Sequence, residues 1–161
     1  GNIMKHTKSR NGFTLIELII VMVILGIMAA VAVPRYLDSI SNAEESAEDA
    51  VIASIKSGLK QYASNALFSE GRAIFPTNPF EVLAEKPAGY TTDNNVANED
   101  GEWTFVNWYS VEEDGQRLRT GKITHQRADN SRWQWDYNAG TRLGDDAKIG
   151  SLGDREEFAA R

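Results

Sequence analysis

The chain has 161 residues, enough for one modest core, and a formal net charge of −6. It holds no cysteine and only two histidines, which excludes disulfide frameworks, thiolate metal sites and multi-histidine centres. Lys5, Lys8 and Arg10 put +3 on the first twelve residues and leave −9 on the rest, a balance that argues against nucleic acid as the main partner, because phosphate binding needs clustered Lys and Arg.

Residues 13 to 33, FTLIELIIVMVILGIMAAVAV, carry a single charge, Glu17. At about 1.5 Å per residue such a helix spans roughly 30 Å, the hydrocarbon thickness of a bilayer. The basic leader bounds the segment on one side and Arg35 on the other. The positive-inside rule holds the leader in the cytoplasm and sends the body across the membrane. An ordinary secretory signal would place a shorter apolar region before a small-residue cleavage site, which MAAVA at 28 to 32 imitates. A plain signal anchor would account for the hydrophobicity but not for Glu17. A carboxylate within such a segment costs roughly 2.5–3.5 kcal/mol on insertion scales, so Glu17 calls for a partner.

Asn11-Gly12-Phe13-Thr14-Leu15-Ile16-Glu17-Leu18, continued by Ile24-Leu25-Gly26-Ile27 and Pro34-Arg35-Tyr36, resembles the class III signal of type IV prepilins and type II secretion pseudopilins. Met4 is a plausible start, with Gly1-Asn2-Ile3 ahead of it. The resemblance implies that a membrane aspartyl prepilin peptidase cuts between Gly12 and Phe13 and methylates the new α-amine of Phe13. That cut removes a cytoplasmic leader (1–12) and leaves the apolar helix attached. The resemblance further implies self-assembly into a helical homopolymer, contact with membrane lipid before assembly, and an inner-membrane assembly platform as partner. The head would lie outside the cytoplasm, on an extracellular pilus or a periplasmic pseudopilus.

Cleavage would create a positive amine on Phe13, which Glu17 of a neighbouring subunit can neutralise inside a low-dielectric bundle, setting axial register. The same chain's own terminus is the alternative partner. Gly26 and Pro34 each weaken a helix, so an interruption, a kink or unwound stretch, is expected between them; simple tolerance in a bilayer is the other reading.

Beyond the membrane half (13–36), Ile40, Ala43, Ala47, Val51, Ile55, Leu59, Tyr62 and Ala66 recur every three or four residues as one apolar stripe. Glu44, Glu45, Glu48, Asp49, Lys56 and Lys60 largely occupy other faces. This amphipathic half (37–66) extends the first into one helix, about 80 Å long if straight. A small head buries at most half of it, so the rest must be covered by a bilayer or by other copies.

Residues 67–161 form the head. Gly71, Pro76, Pro79, Pro87 and Gly89 mark a connecting region, in which Asn78 and Pro79 open a short helix as N-cap and first-turn residue. The stretch NPFEVLAEKPAGY, followed by GEW, resembles head domains of pilin-like proteins of the mannose-sensitive haemagglutinin and secretion type. Three strand candidates, 102–109, 116–126 and 131–138, are separated by Asp114-Gly115 and Asp129-Asn130, which predicts an antiparallel β-meander over about 102–138. Trp103, Phe105 and Tyr109 share one parity, as do Trp133, Trp135 and Tyr137, and these rings read as core against the helix rather than as a stacking platform for sugars or bases. The polar tail from Gly140 to Arg161 either wraps the sheet or stays mobile. The fold class is α+β, a long N-terminal helix packed on a C-terminal antiparallel sheet.

No catalytic constellation is present: His6 sits in the leader, His125 lies in a strand without a nucleophile signature, and no loop has P-loop or dinucleotide spacing. Asp93, Asn95, Asn98 and Asp100, with Asn94 and Glu99, concentrate hard oxygen donors in one loop, and Asp145-Asp146 form a second acidic pair. Ordinary turn chemistry explains the same residues. Major pseudopilins often carry a loop calcium, so the resemblance makes calcium the one cofactor to test, although the spacing is not that of an EF-hand. Three functions are carried forward: a pilus subunit, a type II secretion pseudopilin, and a monomeric membrane-anchored binding domain. The missing C-terminal cysteine pair weighs against the disulfide-looped major pilins.

Overall fold

The computed structural model describes residues 12–93, 95–111, 117–140 and 149–158, with the backbone alone at 108–111, 117, 118 and 149. Two compact units divide the chain, Gly1–Glu45 and Ser46–Arg161. Helix α1 (Leu15–Glu70) contributes to both.

In the first unit every residue from 12 to 39 is exposed. The segment is apolar on all faces, and by length and composition the helix can cross a membrane. The α-helix runs unbroken through Gly26 and Pro34, with Pro34 inside it, so the unwound stretch expected there is not a property of the single chain.

The second unit contains a four-stranded antiparallel sheet in the order β1 (Trp103–Val111), β2 (Arg117–Gln126), β3 (Arg132–Gly140), β4 (Ile149–Glu157). Register aligns Trp103, His125 and Trp133 in one row and Phe105, Ile123 and Trp135 in the next. These rows meet Ile52, Ile55, Leu59 and Ala63 of α1, and Phe75 and Phe80 close the same core. Trp103 stacks on Trp135 at 5.7 Å between ring centres, and Phe80 meets Trp103 edge-on at 6.3 Å. Each such buried ring contributes about 1.5–3 kcal/mol, which makes the aromatic rows the main source of head stability.

The helical stripe departs from the sequence expectation. Glu48, Ile52, Ile55, Leu59, Ala63 and Ala66 are the buried residues of α1, whereas Ala43 and Ala47 are exposed and Tyr62 is 39% exposed. The true stripe is rotated slightly from the expected one, and Glu48, assigned to a solvated face, is 0% exposed. Its reason lies in the partners that meet it from the sheet, taken up below.

Asn78 does cap a short 3-10 helix (Pro79–Val82), its side chain accepting from the Phe80 N–H at 2.9 Å. The turn at Asp129-Asn130 also forms as expected, with Asn130 at φ 64° and the Asp129 carboxylate accepting from the Ser131 N–H. The tail supplies β4, which the sequence left open between wrapping and mobility. A register shift between Trp135 and Tyr137 accommodates it, and a Cβ on Gly150 would stand 2.3 Å from both the Asn138 carbonyl oxygen and the Phe75 ring. Only glycine lets β4 lie this close. The Asp114-Gly115 turn, Leu143 and the Asp145-Asp146 pair lie outside the described residues.

Candidate assembly site and head clamp

Helix α1 starts immediately after Thr14, and the chemistry of that start is a reciprocal cap. The Glu17 N–H donates to the Thr14 hydroxyl oxygen at 3.3 Å. The Thr14 N–H and hydroxyl both donate to Glu17 Oε2, each at 2.8 Å. Thr14-Leu15-Ile16-Glu17 is therefore a capping box, a T-x-x-E signature legible in the sequence. With Gly12 and Phe13 still joined, Glu17 is served by Thr14, the residue next to the Phe13 whose freed amine on a neighbouring subunit was the expected partner. Gly12 and Phe13 precede the helical ladder and are exposed, Phe13 at 95%.

A second polar site lies within the head. Glu48 receives a two-point contact from Arg127, Nε to Oε1 at 2.8 Å and Nη2 to Oε2 at 2.6 Å. His125 Nδ1 stands 2.8 Å from the same Oε1, its ring stacked on Trp103 at 4.2 Å. From β4, Arg155 Nε comes within 3.2 Å of Glu48 Oε2, and its Nη2 reaches Asp49. Both guanidiniums also flank Trp133, at 4.7 Å and 5.9 Å from the ring centre. Burial pushes the Glu48 carboxyl up, but hydrogen bonds from Arg127 and His125 and the Arg127 charge outweigh it and hold the group below the ordinary glutamate value. The carboxylate is thus a clamp joining α1, the β2–β3 connection and β4. Its contacts all run between elements of the head, and it reads as structural.

The loop expected to hold calcium is organised by a different acid. Glu102 accepts the backbone N–H groups of Asn98 at 2.6 Å and Glu99 at 3.1 Å and the Thr91 hydroxyl at 3.2 Å. The Asn98 N–H chiefly, against a smaller opposing effect of burial, lowers the Glu102 pKa. Ala97 N–H donates to Thr124 Oγ1 at 2.9 Å, pinning the loop over the sheet. Asp93, Asn95, Asn98 and Asp100 are exposed, and among the described residues no three His, Asp or Glu side chains converge as metal ligands.

Residues 7–33 match the family model described as the prokaryotic N-terminal methylation motif. The type IV narrow pilus major component PilA5 of Thermus thermophilus is 38% identical over 93 residues, covering 58% of this chain and 74% of that protein. The type II secretion system core protein G of Vibrio cholerae is 31% identical over 86 residues, 52% of this chain and 55% of the relative. The type IV major pilin protein PilE1 of Neisseria gonorrhoeae is 45% identical over 90 residues, 55% of this chain and 41% of the relative. The chain therefore spans about three quarters of the first of these and about half or less of the other two. No solved structure matches it. With the methylation motif lying across the capped start of α1 and the likeness to the Thermus pilin reaching into the head, the chain belongs to the type IV pilin and pseudopilin family.

Proposed function

We propose that the chain is a structural subunit of a type IV pilus-like filament, cut between Gly12 and Phe13, methylated on Phe13 and polymerised through the first half of α1. The observation that carries this reading is the pairing of a fully exposed apolar helix with one carboxylate at its capped start. Lipid covers such a helix before assembly, and other copies of it cover the helix afterwards. Before the cut, Thr14 keeps the Glu17 carboxylate hydrogen-bonded. After it, the amine freed on a neighbour's Phe13 offers a charged donor, and charge-assisted hydrogen bonds are roughly twice as strong as neutral ones. Partners in this scheme are the prepilin peptidase, an inner-membrane assembly platform and the chain itself, with the head outside the cytoplasm. It assigns the head no catalytic role.

The pseudopilin of a type II secretion system is the second reading, favoured by the likeness to the Vibrio core protein and by a head without cysteine. Mass analysis of the exported chain tests the shared part: it should begin at Phe13 and be one methyl group heavier. An uncut chain that stays monomeric beside an active prepilin peptidase would instead favour the anchored binding domain. Electron microscopy of purified polymer separates the remaining two, microns long for a pilus and tens of nanometres for a pseudopilus.

A further inference from the structure

Alternate side chains of a strand turn to opposite faces of its sheet. Ile123, Trp135 and Tyr137 belong to the core beneath α1, so Thr120, Lys122, Asp136 and Asn138 stand on the face turned away from the helix. Part of that face is already covered. Thr104 and Thr124 are 0% exposed, share a hydrogen bond at 2.7 Å, and lie under the loop that Ala97 pins. Further along is an open groove of about 370 Å³, whose lining includes Thr120, Lys122, Asp136, Asn138, Ser151 and Gly153.

Strand register turns these residues into a grid. Thr120, Asn138 and Ser151 are successive partners across β2, β3 and β4. Two residues along, Lys122 partners Asp136, at the place where the β3–β4 register shifts. Strands lie about 4.8 Å apart and alternate residues of one strand about 6.8 Å apart, so the polar side chains mark out a patch about as wide as one sugar ring. Gly153 sits beside Asp136 at the shift and leaves the floor sunken there. A Cβ on it would come no nearer than 3.4 Å to the Asp136 carbonyl oxygen, an ordinary contact, so packing does not demand glycine at this position.

We propose that this groove binds an uncharged hexose ring of a saccharide. Lys122 Nζ stands 3.1 Å from the Asp136 carboxylate and donates to Gln134 Oε1 at 3.0 Å, which fixes both charges and leaves the pair neutral. The Asp136 side chain is still 62% exposed, so its carboxylate keeps acceptor positions for ligand hydroxyls. Asn138 Oδ1 accepts from the Gly140 N–H at 2.8 Å, which reserves the amide donors of the same side chain. Ser151, exposed at the end of the row, offers a hydroxyl that both donates and accepts. Fixed donors and acceptors without net charge match a ring dense in hydroxyl groups. An anion would meet Asp136, and a metal cation would meet Lys122. The groove's size is at the low end for small-molecule sites, about 300–1,000 Å³, enough for a single ring.

Saturation-transfer difference NMR tests this on the full chain, unpolymerised in a sugar-free zwitterionic detergent, with galactose, glucose, mannose and N-acetylglucosamine as probes. At least one should bind with a Kd of about 1–10 mM. Gly153→Val fills the groove and Asp136→Asn removes a charged acceptor; each should weaken that binding about tenfold with head melting unchanged. If Gly153→Val melts early, Asp136→Asn and Ser151→Ala decide the matter. The proposal is overturned if none of the four sugars binds at about 100 mM, if well-folded groove variants bind as the unaltered chain does, or if glucuronate or inorganic phosphate binds more tightly than every neutral sugar. Polymer formation plays no part in this readout, so failure here leaves the filament reading standing.

Discussion

Replacing Glu48 by glutamine removes one charge while nearly preserving shape. It strands two guanidiniums, Arg127 with its side chain 4% exposed and Arg155 at 17%. Breaking a buried ion pair from one side typically costs about 3–5 kcal/mol, because the remaining charge stays desolvated. Glutamine still offers one oxygen to Arg127, so the lower end, about 3 kcal/mol, is the expected loss. Against a total stability of about 5–15 kcal/mol this is a large share. By contrast Asp49, 69% exposed in its pair with Arg155, should cost no more than about 1 kcal/mol as Asp49→Asn. Urea unfolding of the full chain in detergent, followed by near-ultraviolet dichroism of the buried tryptophans, reads both. Removing both partners, Glu48→Met with Arg127→Leu, should recover much of the single-variant loss, since an apolar replacement leaves no stranded charge between these two. A Glu48→Gln loss below about 1 kcal/mol, or a double variant as unstable as the two losses added, would refute the clamp.

Acid should unfold the head through the same group. Glu48, Glu102 and Asp129 all have folded pKa values lowered from their ordinary ones, so their contribution is present above the unfolded value near 4 and is lost as pH falls through the folded values. The melting temperature should be flat from about pH 7 to 5 and drop below about pH 4, less steeply in Glu48→Gln; a drop beginning above pH 5 contradicts this. Gly89→Ala should destabilise the head by about 1–3 kcal/mol in the urea assay, because φ there is +78° and a Cβ would stand 2.2 Å from the Gly101 carbonyl oxygen. At the helix start, Thr14→Val should cost about 1 kcal/mol of helix-cap stability and slow release of mature chain by prepilin peptidase, with Thr14→Ser behaving as wild type; equal rates for all three remove Thr14 from the site.

Of the three strands that the sequence disclosed, two carry aromatic residues at alternate positions, Trp103 and Phe105, then Trp133, Trp135 and Tyr137, all of which turn one face to the core, and the strand between them was bounded by turn signals. β4 had no such alternation. Its sequence, IGSLGDREE, contains two glycines and four charges, and it pairs through backbone groups with none of its described side chains fully buried. Its place depends on Gly150 letting Phe75 and Asn138 approach, on Leu152 against the core and on Arg155 reaching α1. None of these is a local pattern. Each requires knowing what lies across the sheet, which hydrophobic periodicity does not encode.

Two carboxylates of α1, Glu17 and Glu48, show the same limit from opposite sides. Glu17 stands out because it is the single charge in the apolar stretch from 13 to 33, so its need for a partner is visible from composition alone. Even so, the partner nearest to hand was a threonine three residues away rather than a distant charge. Glu48 sits among Glu44, Glu45 and Asp49, where an acid looks at home in water, yet it is the one drawn into the core. Helical geometry makes this consistent: Glu48 shares its face with Ile52, Ile55 and Leu59, so the residue at that position must enter the interface whatever its polarity. A buried acid is tolerable there because Arg127 and Arg155, 79 and 107 positions later in the chain, converge on it. A charge at the edge of an apolar stripe should therefore be weighed as a clamp residue whenever arginines flank the strands that the stripe will meet, and Glu48→Gln is the variant that decides whether that rule holds in this family.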